Sequence, residues 1–182
     1  MKKYLSFVLA LVLSILCLIG CQSETVSQQT PDAVFSDFAA KDLNSNIVTE
    51  TVLSEKKLTM INIWATFCGP CIGEMPALAR LSEEFESELQ VIGIALDLCD
   101  ANGNVLPDKK ASALSIIDET GANYLHLVPS ASLNSAYLSE VMAVPETLFV
   151  DSEGFVIGES YMGARSEKEW RSIIETLLEN IE

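Results

Sequence analysis

Residues 58–75 of this 182-residue chain read LTMINIWATFCGPCIGEM, and this stretch decides the fold. Its first part, residues 58–65, is a dense apolar run typical of a strand that is buried on both faces. After Cys71 the apolar residues recur at helical spacing, which predicts a helix to about Ser87. Residues 90–97 (QVIGIALD) predict a second buried strand. The two cysteines therefore lie at a strand-to-helix junction inside a βαβ unit.

This junction gives the two cysteines different chemistry. Cys68 falls at the predicted start of the helix, where unpaired backbone N–H groups and the positive end of the helix dipole favour a thiolate. Cys71 lies one turn further along and is expected to be more buried. That asymmetry suits a reaction in which Cys68 attacks a disulfide and Cys71 resolves the mixed disulfide. An inert structural disulfide, the alternative, would not need this placement.

The remaining cysteines do not suggest a metal site. The chain has five cysteines and one histidine, whereas a structural zinc ion takes four ligands and the chain has no second CxxC. We therefore expect no metal and no other cofactor. His126 is interpreted as structural. Cys99 is interpreted as a small buried apolar side chain, with a thiol that traps substrate as the alternative.

The first thirty residues predict export. Lys2 and Lys3 precede an uncharged run over residues 4–20, which is the layout of a signal peptide, although a single transmembrane anchor is an alternative. The run ends in Leu-Ile-Gly before Cys21, which resembles a bacterial lipobox. By that resemblance residues 1–20 are a signal peptide, Cys21 carries a lipid, and residues 21–31 form a flexible tether. Residues 32–182 would then form one domain outside the cytoplasm, anchored to the membrane by lipid.

Charge narrows the range of partners. The formal net charge is −15, and removal of a signal peptide with two lysines would make it more negative. Such acidity argues against nucleic acid and against a basic membrane-binding face. We expect a monomer.

Two segments together resemble a known family. The segment WATFCGPCIGEMP and the later segment AVPETLFVD (residues 143–151), followed by Gly154, resemble membrane-tethered thiol–disulfide oxidoreductases of the TlpA/ResA type. The resemblance implies a thioredoxin-like α/β fold, with a central mixed sheet flanked by helices, an N-terminal hairpin and a central insertion. It also implies that Pro145 follows a cis peptide bond and faces the cysteines, and that Val144 offers its backbone to a substrate strand.

The same resemblance assigns further site residues. Glu74 matches the glutamate that this family carries near its cysteines, where a buried carboxylate of raised pKa takes the proton of Cys71. The alternative is a solvated first-turn glutamate that complements the helix dipole. Thioredoxin has an aspartate at the position of Asn62, which cannot accept a proton. Trp64 is expected to pack in the core and shield the site. With Phe67 it is also a candidate for substrate binding.

The other elements follow from local pattern. We expect a hairpin over residues 34–48, helices over 109–120 and 131–140, a strand over 125–128, a hairpin of strands 147–150 and 155–161, and a last helix over 167–180 that is capped by Ser166 and Glu169.

The predicted activity is reduction of disulfides in exported proteins. Gly69 and Pro70 form the dipeptide of reducing thioredoxins, and the family implies a membrane electron donor of the CcdA/DsbD kind. Three alternatives stay open: a disulfide oxidase that uses the same residues, a thiol peroxidase in which Cys68 reacts with peroxide, and a non-enzymatic Cu(I) carrier. The substrate could be apocytochrome c, in cytochrome c maturation, or another exported protein.

Overall fold

The computed structural model describes residues 33–181. The predicted signal peptide, Cys21 and the tether over residues 21–31 lie outside the described residues. Among residues 33–181, no helix has both the length and the apolar run needed to cross a membrane.

A mixed seven-stranded sheet forms the centre of the described chain, in the order β2-β1-β5-β4-β3-β6-β7. The strands are β1 Ala39–Asp42, β2 Ile47–Thr49, β3 Leu58–Trp64, β4 Leu89–Ala95, β5 Leu125–Val128, β6 Glu146–Asp151 and β7 Val156–Met162. β4 pairs in parallel with both β3 and β5, and the other neighbouring pairs are antiparallel. The sheet and its N-terminal hairpin agree with the architecture that the resemblance implied, and the C-terminal hairpin of β6 and β7 agrees with the local pattern.

Four α-helices flank the sheet: α1 Gly69–Glu84, α2 Pro107–Thr120, α3 Ala131–Ala136 and α4 Glu167–Asn180. α1 ends slightly before the predicted Ser87, since Phe85 leaves helical geometry, with φ −101° and ψ 21°. α4 has the predicted bounds and begins at the predicted capping box.

The helix predicted over residues 131–140 is wrong in its second half. α3 ends at Ala136, and Leu138–Glu140 form a separate 3₁₀ turn. Tyr137 between them leaves helical geometry, with φ −153° and ψ −35°. Its ring packs near Phe35, and its hydroxyl donates to the buried carboxylate of Glu146 at 2.5 Å. Such contacts with the sheet outweigh local helix propensity.

The core occupies both faces of the sheet, as the burial of every residue of β3 shows. Ile61 and Ile63 face a cluster formed with the N-terminal hairpin and α3. Met60 and Trp64 face the opposite side, where α1 covers the sheet. The continuous apolar run of β3 therefore follows from burial on two sides.

Candidate active site

The two cysteines of the CxxC segment form a disulfide at the N-terminus of α1. Cys68 is the N-cap residue, and its Sγ accepts a hydrogen bond from the backbone N–H of Cys71 at 3.2 Å. Cys68 is 6% exposed and Cys71 is fully buried. An incoming disulfide would therefore meet the Cys68 sulfur, and the same N–H group and helix dipole would stabilise a thiolate there.

The loop before β6 faces this disulfide. The carbonyl oxygen of Val144 lies 3.6 Å from Cys68 Sγ. The Val144–Pro145 peptide bond is cis, as the resemblance implied. Pro145 is held in turn by its carbonyl oxygen, which accepts from the backbone N–H of Gly163 at 2.8 Å. The backbone of Val144 and Pro145 is thus placed beside the reactive sulfur, where docking of a substrate strand was predicted.

Glu74 lies one turn beyond Cys71 on the buried side of α1, so the solvated alternative is wrong. Its carboxylate accepts three hydrogen bonds, from Asn62 Nδ2 at 3.1 Å, Arg165 N at 3.1 Å and Trp170 Nε1 at 3.1 Å. Burial raises the pKa of Glu74, and these donors, which favour the ionised form, only partly offset it. Glu74 therefore joins α1 to the start of α4 besides being a candidate proton acceptor.

Beneath the helix, a polar row crosses four strands in register. Thr147, Asn62, Gly93 and His126 are consecutive partners across β6, β3, β4 and β5. Asn62 Nδ2 also donates to Thr147 Oγ1 at 3.0 Å. Sequence reasoning singled out Asn62 but missed Thr147 and Trp170, because their contacts depend on strand register and on how α4 packs.

His126 is buried in this row, as its structural interpretation requires. Its Nε2 lies 2.9 Å from the Ala122 carbonyl oxygen, and burial lowers the pKa of His126 to about 4. Because a carbonyl only accepts hydrogen bonds, Nε2 carries the proton and Nδ1 is left as an acceptor. His126 lies edge-on to Trp64 and stacks on Tyr124.

Trp64 and Phe67 have opposite environments. Trp64 is fully buried among the residues around the cysteines, as expected for core packing, and its candidacy for substrate binding stays a prediction. Phe67, directly before Cys68, is 73% exposed. Near the cis-proline loop, Met142 is 88% exposed and Met162 is 65% exposed, two apolar side chains that sequence reasoning missed.

Cys99 is half-buried and packs against the cluster around the active site. Its Sγ lies 3.8 Å from the Pro129 carbonyl oxygen. Burial and the nearby Asp100 carboxylate raise the pKa of its thiol, which disfavours a reactive thiolate. Its environment fits the apolar interpretation better than a trapping role. Within residues 33–181, no three His, Cys, Asp or Glu side chains are grouped so that they could hold a metal ion.

The sequence matches one protein family. The model of the AhpC/TSA family matches residues 31–158. The chain is 29% identical to thioredoxin-like protein YneN of Bacillus subtilis, over 78% of this chain and 74% of that protein. It is 27% identical to thiol:disulfide interchange protein DsbE of Pseudomonas aeruginosa, over 74% of this chain and 66% of that protein. It is 38% identical to thiol-disulfide oxidoreductase ResA of Oceanobacillus iheyensis, over 34% of each chain.

Solved structures agree on the fold. A thiol:disulfide interchange protein of Chlorobium tepidum superposes with a TM-score of 0.64 at 20% identity, over 78% of this chain and 93% of that one. A secreted disulfide oxidoreductase of Mycobacterium tuberculosis superposes with a TM-score of 0.61 at 18% identity, over 78% and 97%. The predicted thioredoxin-like fold is confirmed.

Proposed function

Because this chain belongs to the AhpC/TSA family, we propose that its dithiol reduces disulfide bonds in exported proteins. The chain is a thiol–disulfide oxidoreductase of thioredoxin type, as its fold, its Cys68–Cys71 pair and its named relatives agree. The observation that carries the proposal is the geometry of this pair. Cys68 caps a helix and adjoins the Val144 carbonyl, and Cys71 lies directly behind it.

The reaction runs in two exchanges. The Cys68 thiolate attacks one sulfur of the substrate disulfide, which forms a mixed disulfide and releases the other substrate sulfur as a thiolate. Cys71 then loses its proton and attacks Cys68 Sγ, which frees the second substrate thiolate. Two electrons pass from the dithiol to the substrate. The Cys68–Cys71 disulfide described above is the product state.

Glu74 is the proposed acceptor of the Cys71 proton. It is a buried carboxylate of raised pKa, three residues further along the same helix. A carboxylate of raised pKa accepts a proton more readily than an ordinary one, as a general base in the second exchange requires. In the oxidised state its hydrogen bonds go to Asn62, Arg165 and Trp170, so transfer of the Cys71 proton would require the carboxylate to shift toward that thiol.

Trapping tests the roles of the two cysteines. In Cys71→Ser the mixed disulfide cannot be resolved, so a covalent complex between Cys68 and a substrate protein should accumulate on non-reducing gels. In Cys68→Ser no complex should form. Complexes that form through Cys71 in Cys68→Ser would contradict the proposed order of attack.

The direction of electron flow is tested by the reduction potential of the dithiol, measured by equilibration with glutathione. A value near that of thioredoxin, about −270 mV, supports a reductase. A value near that of DsbA, about −120 mV, would make the protein an oxidase with the same residues. Rapid consumption of peroxide would favour the peroxidase alternative. Tight Cu(I) binding without exchange activity would favour the carrier.

We also propose that the domain works outside the cytoplasm on a lipid anchor at Cys21 and is recharged by a membrane donor of the CcdA/DsbD kind. The signal-like first twenty residues and the relatives named DsbE and ResA support this location. Cys21→Ser should move the protein from the membrane fraction to the soluble extracytoplasmic fraction. An unchanged distribution would favour an uncleaved transmembrane anchor.

A further inference from the structure

We propose that Asp97 and Lys109 are positioning residues that hold Phe67 in place, beside Cys68, to receive a protein substrate. The inference rests on the proposed function and deepens it. It adds α2, the helix between β4 and β5, to the parts of the protein that prepare the surface beside the CxxC segment for substrate.

Asp97 anchors the segment that leads into Cys68. It lies in the 3₁₀ turn Leu96–Leu98 directly after β4. Its Oδ1 accepts from the backbone N–H of Thr66 at 2.9 Å, and its Oδ2 accepts from the Thr66 hydroxyl at 2.5 Å. Thr66 is two residues before Cys68, so these two bonds fix the backbone from which both Phe67 and Cys68 project.

Lys109 completes the cluster from the first turn of α2. Its Nζ donates to Asp97 Oδ2 at 2.8 Å and to Thr66 Oγ1 at 3.2 Å. The same ammonium group lies 5.7 Å from the centroid of the Phe67 ring, within the range of a cation–π contact. Burial tends to raise the pKa of Asp97, but the bonds from Lys109 and Thr66 outweigh it and lower that pKa. Asp97 therefore stays ionised, and the ion pair persists at neutral pH.

The arrangement explains how Phe67 remains exposed. Burial of an apolar ring lowers the free energy, so a ring on a surface loop tends to fold back onto the protein unless contacts with its neighbours hold it outward. Thr66 ties down the backbone on one side of Phe67, and the ammonium of Lys109 holds the ring from above. The exposed ring is then ready to contact an apolar side chain close to the cysteine of an extended polypeptide. A small disulfide has no such side chain and does not use this contact.

The test compares a protein disulfide with a small one. Reduced protein is mixed with insulin or with hydroxyethyl disulfide, and the remaining thiols are alkylated after acid quench to give the rate of exchange. With insulin, we expect Lys109→Met and Phe67→Ala each to be about tenfold slower, equal to about 1.4 kcal/mol. With hydroxyethyl disulfide, the rate should change less than about twofold, because Cys68 chemistry is intact. Lys110→Met removes the same charge from the next residue and should match wild type with both disulfides.

Two further variants separate positioning from general damage to the fold. Lys109→Arg keeps a cation over the ring and should restore the insulin rate. Asp97→Asn removes the ionic partner of Lys109 but keeps an amide oxygen that can accept from the Thr66 N–H, so the backbone before Cys68 stays in place and the selective loss should recur. Because Lys109 acts through Phe67, Lys109→Met should add less than about twofold in a Phe67→Ala background.

Equal losses with both disulfides, or additive losses in the double variant, would overturn the inference. The inference would also fail if Lys109→Met and Lys110→Met reduced insulin at the same rate while wild type is active. A wild-type protein that reduces neither disulfide would overturn the proposed function itself, and this inference with it.

Discussion

At the residue scale, Glu74 shows two opposing effects on one carboxylate. Removal from water disfavours its charged form, whereas three N–H donors favour it. The net effect is a raised pKa, because burial is the larger contribution. A negative charge that forms nearby, such as a thiolate at Cys71, would disfavour the charged carboxylate further and raise its pKa more.

The raised pKa of Glu74 predicts a specific pH dependence of stability. The folded state holds this proton more tightly than the unfolded state, so the stabilisation is complete below the ordinary carboxyl pKa of 4.5 and is lost as the pH rises through the folded value. Glu74→Gln has no proton to lose. We subtract the free energy of unfolding of Glu74→Gln from that of wild type. This value should be highest at and below pH 4.5 and should fall as the pH rises, because wild type alone loses stability.

Denaturant titration of the oxidised protein at several pH values measures this difference. Glu83→Gln, which removes an exposed carboxylate from the same helix, is the control for the loss of one negative charge. If wild type instead became more stable relative to Glu74→Gln as the pH rises, the three donors would outweigh burial and the pKa of Glu74 would be lowered.

At the scale of elements, the start of α4 is fixed both locally and at a distance. The Ser166 hydroxyl accepts from the Glu169 N–H, while the Glu169 carboxylate accepts from the Ser166 N–H at 2.9 Å. The adjacent Arg165 N–H and the first-turn Trp170 indole both bind Glu74 on α1. The capping box sets where α4 begins, and Glu74 sets where that beginning lies relative to the cysteines.

Loss of the capping box should destabilise the protein measurably. Ser166→Ala leaves the Glu169 N–H without its side-chain partner, and we expect a cost of about 1 kcal/mol in the free energy of unfolding. Ser172→Ala, an exposed position in the same helix, should change stability by less than about 0.5 kcal/mol. Chemical denaturation of both variants measures the difference. Equal effects would show that the cap contributes nothing beyond helix propensity.

Packing between β4 and β5 depends on a missing side chain. A Cβ atom at Gly93 would lie 2.3 Å from His126 Nδ1 and 3.2 Å from Trp64 Nε1. The His126 ring therefore occupies space that any other residue at Gly93 would need. Both nitrogens lack a hydrogen-bond partner among the described residues, and they lie over the same glycine.

Two glycine substitutions should consequently change the free energy of unfolding in opposite directions. Gly93→Ala forces His126 and Trp64 apart and should cost about 1–3 kcal/mol. Gly73→Ala, inside α1 with no atom within 4 Å of the new Cβ, should stabilise the protein by about 0.5–1 kcal/mol. Thermal or denaturant unfolding distinguishes them. If Gly93→Ala is neutral, the His126 ring is free to move and does not fix Trp64 beneath the disulfide.

At the scale of the whole molecule, acidic residues dominate the surface charge. The chain has 26 Asp and Glu against 11 Lys and Arg. Surface ion pairs such as Lys57–Glu88 neutralise only a few of these charges, and each exposed pair contributes little to stability. Repulsion among the remaining carboxylates therefore opposes the compact state.

This repulsion predicts that salt stabilises the fold. An increase from about 10 mM to about 100 mM sodium chloride shortens the screening length from about 30 Å to about 10 Å. The midpoint of thermal unfolding at neutral pH should rise over this range, as calorimetry would measure. A falling midpoint would mean that attractive pairs, which salt also screens, outweigh the general repulsion.

Strand order brings the site together at this scale. The loops after β3 and β4 and the loop before β6 meet at one edge of the sheet, because β3 lies between β4 and β6 and is antiparallel to β6. Cys68, Asp97 and Pro145 follow or precede those strands and are neighbours for that reason. Parallel pairing and its crossover helix thus place chemistry from distant parts of the chain in one location.

The sequence alone determined the features that local patterns encode. The apolar run of β3, the helical period after Cys71, the turn before β2 and the capping box at Ser166 each depend on residues that are near in sequence. The position of the dithiol at a helix N-terminus followed from the same patterns. The pairing of Cys68 with the cis-proline loop followed from resemblance to a family.

Only the tertiary structure decided which distant residues meet. Thr66 and Asp97 are separated by 31 positions, Cys68 and Val144 by 76, and Glu74 and Arg165 by 91. The break at Tyr137 was likewise outside the reach of local pattern. The physical reason is that these contacts depend on strand order, register and helix packing, which arise when many weak interactions are satisfied together. A periodic sequence shows which face a residue is on, but not which residue it meets there.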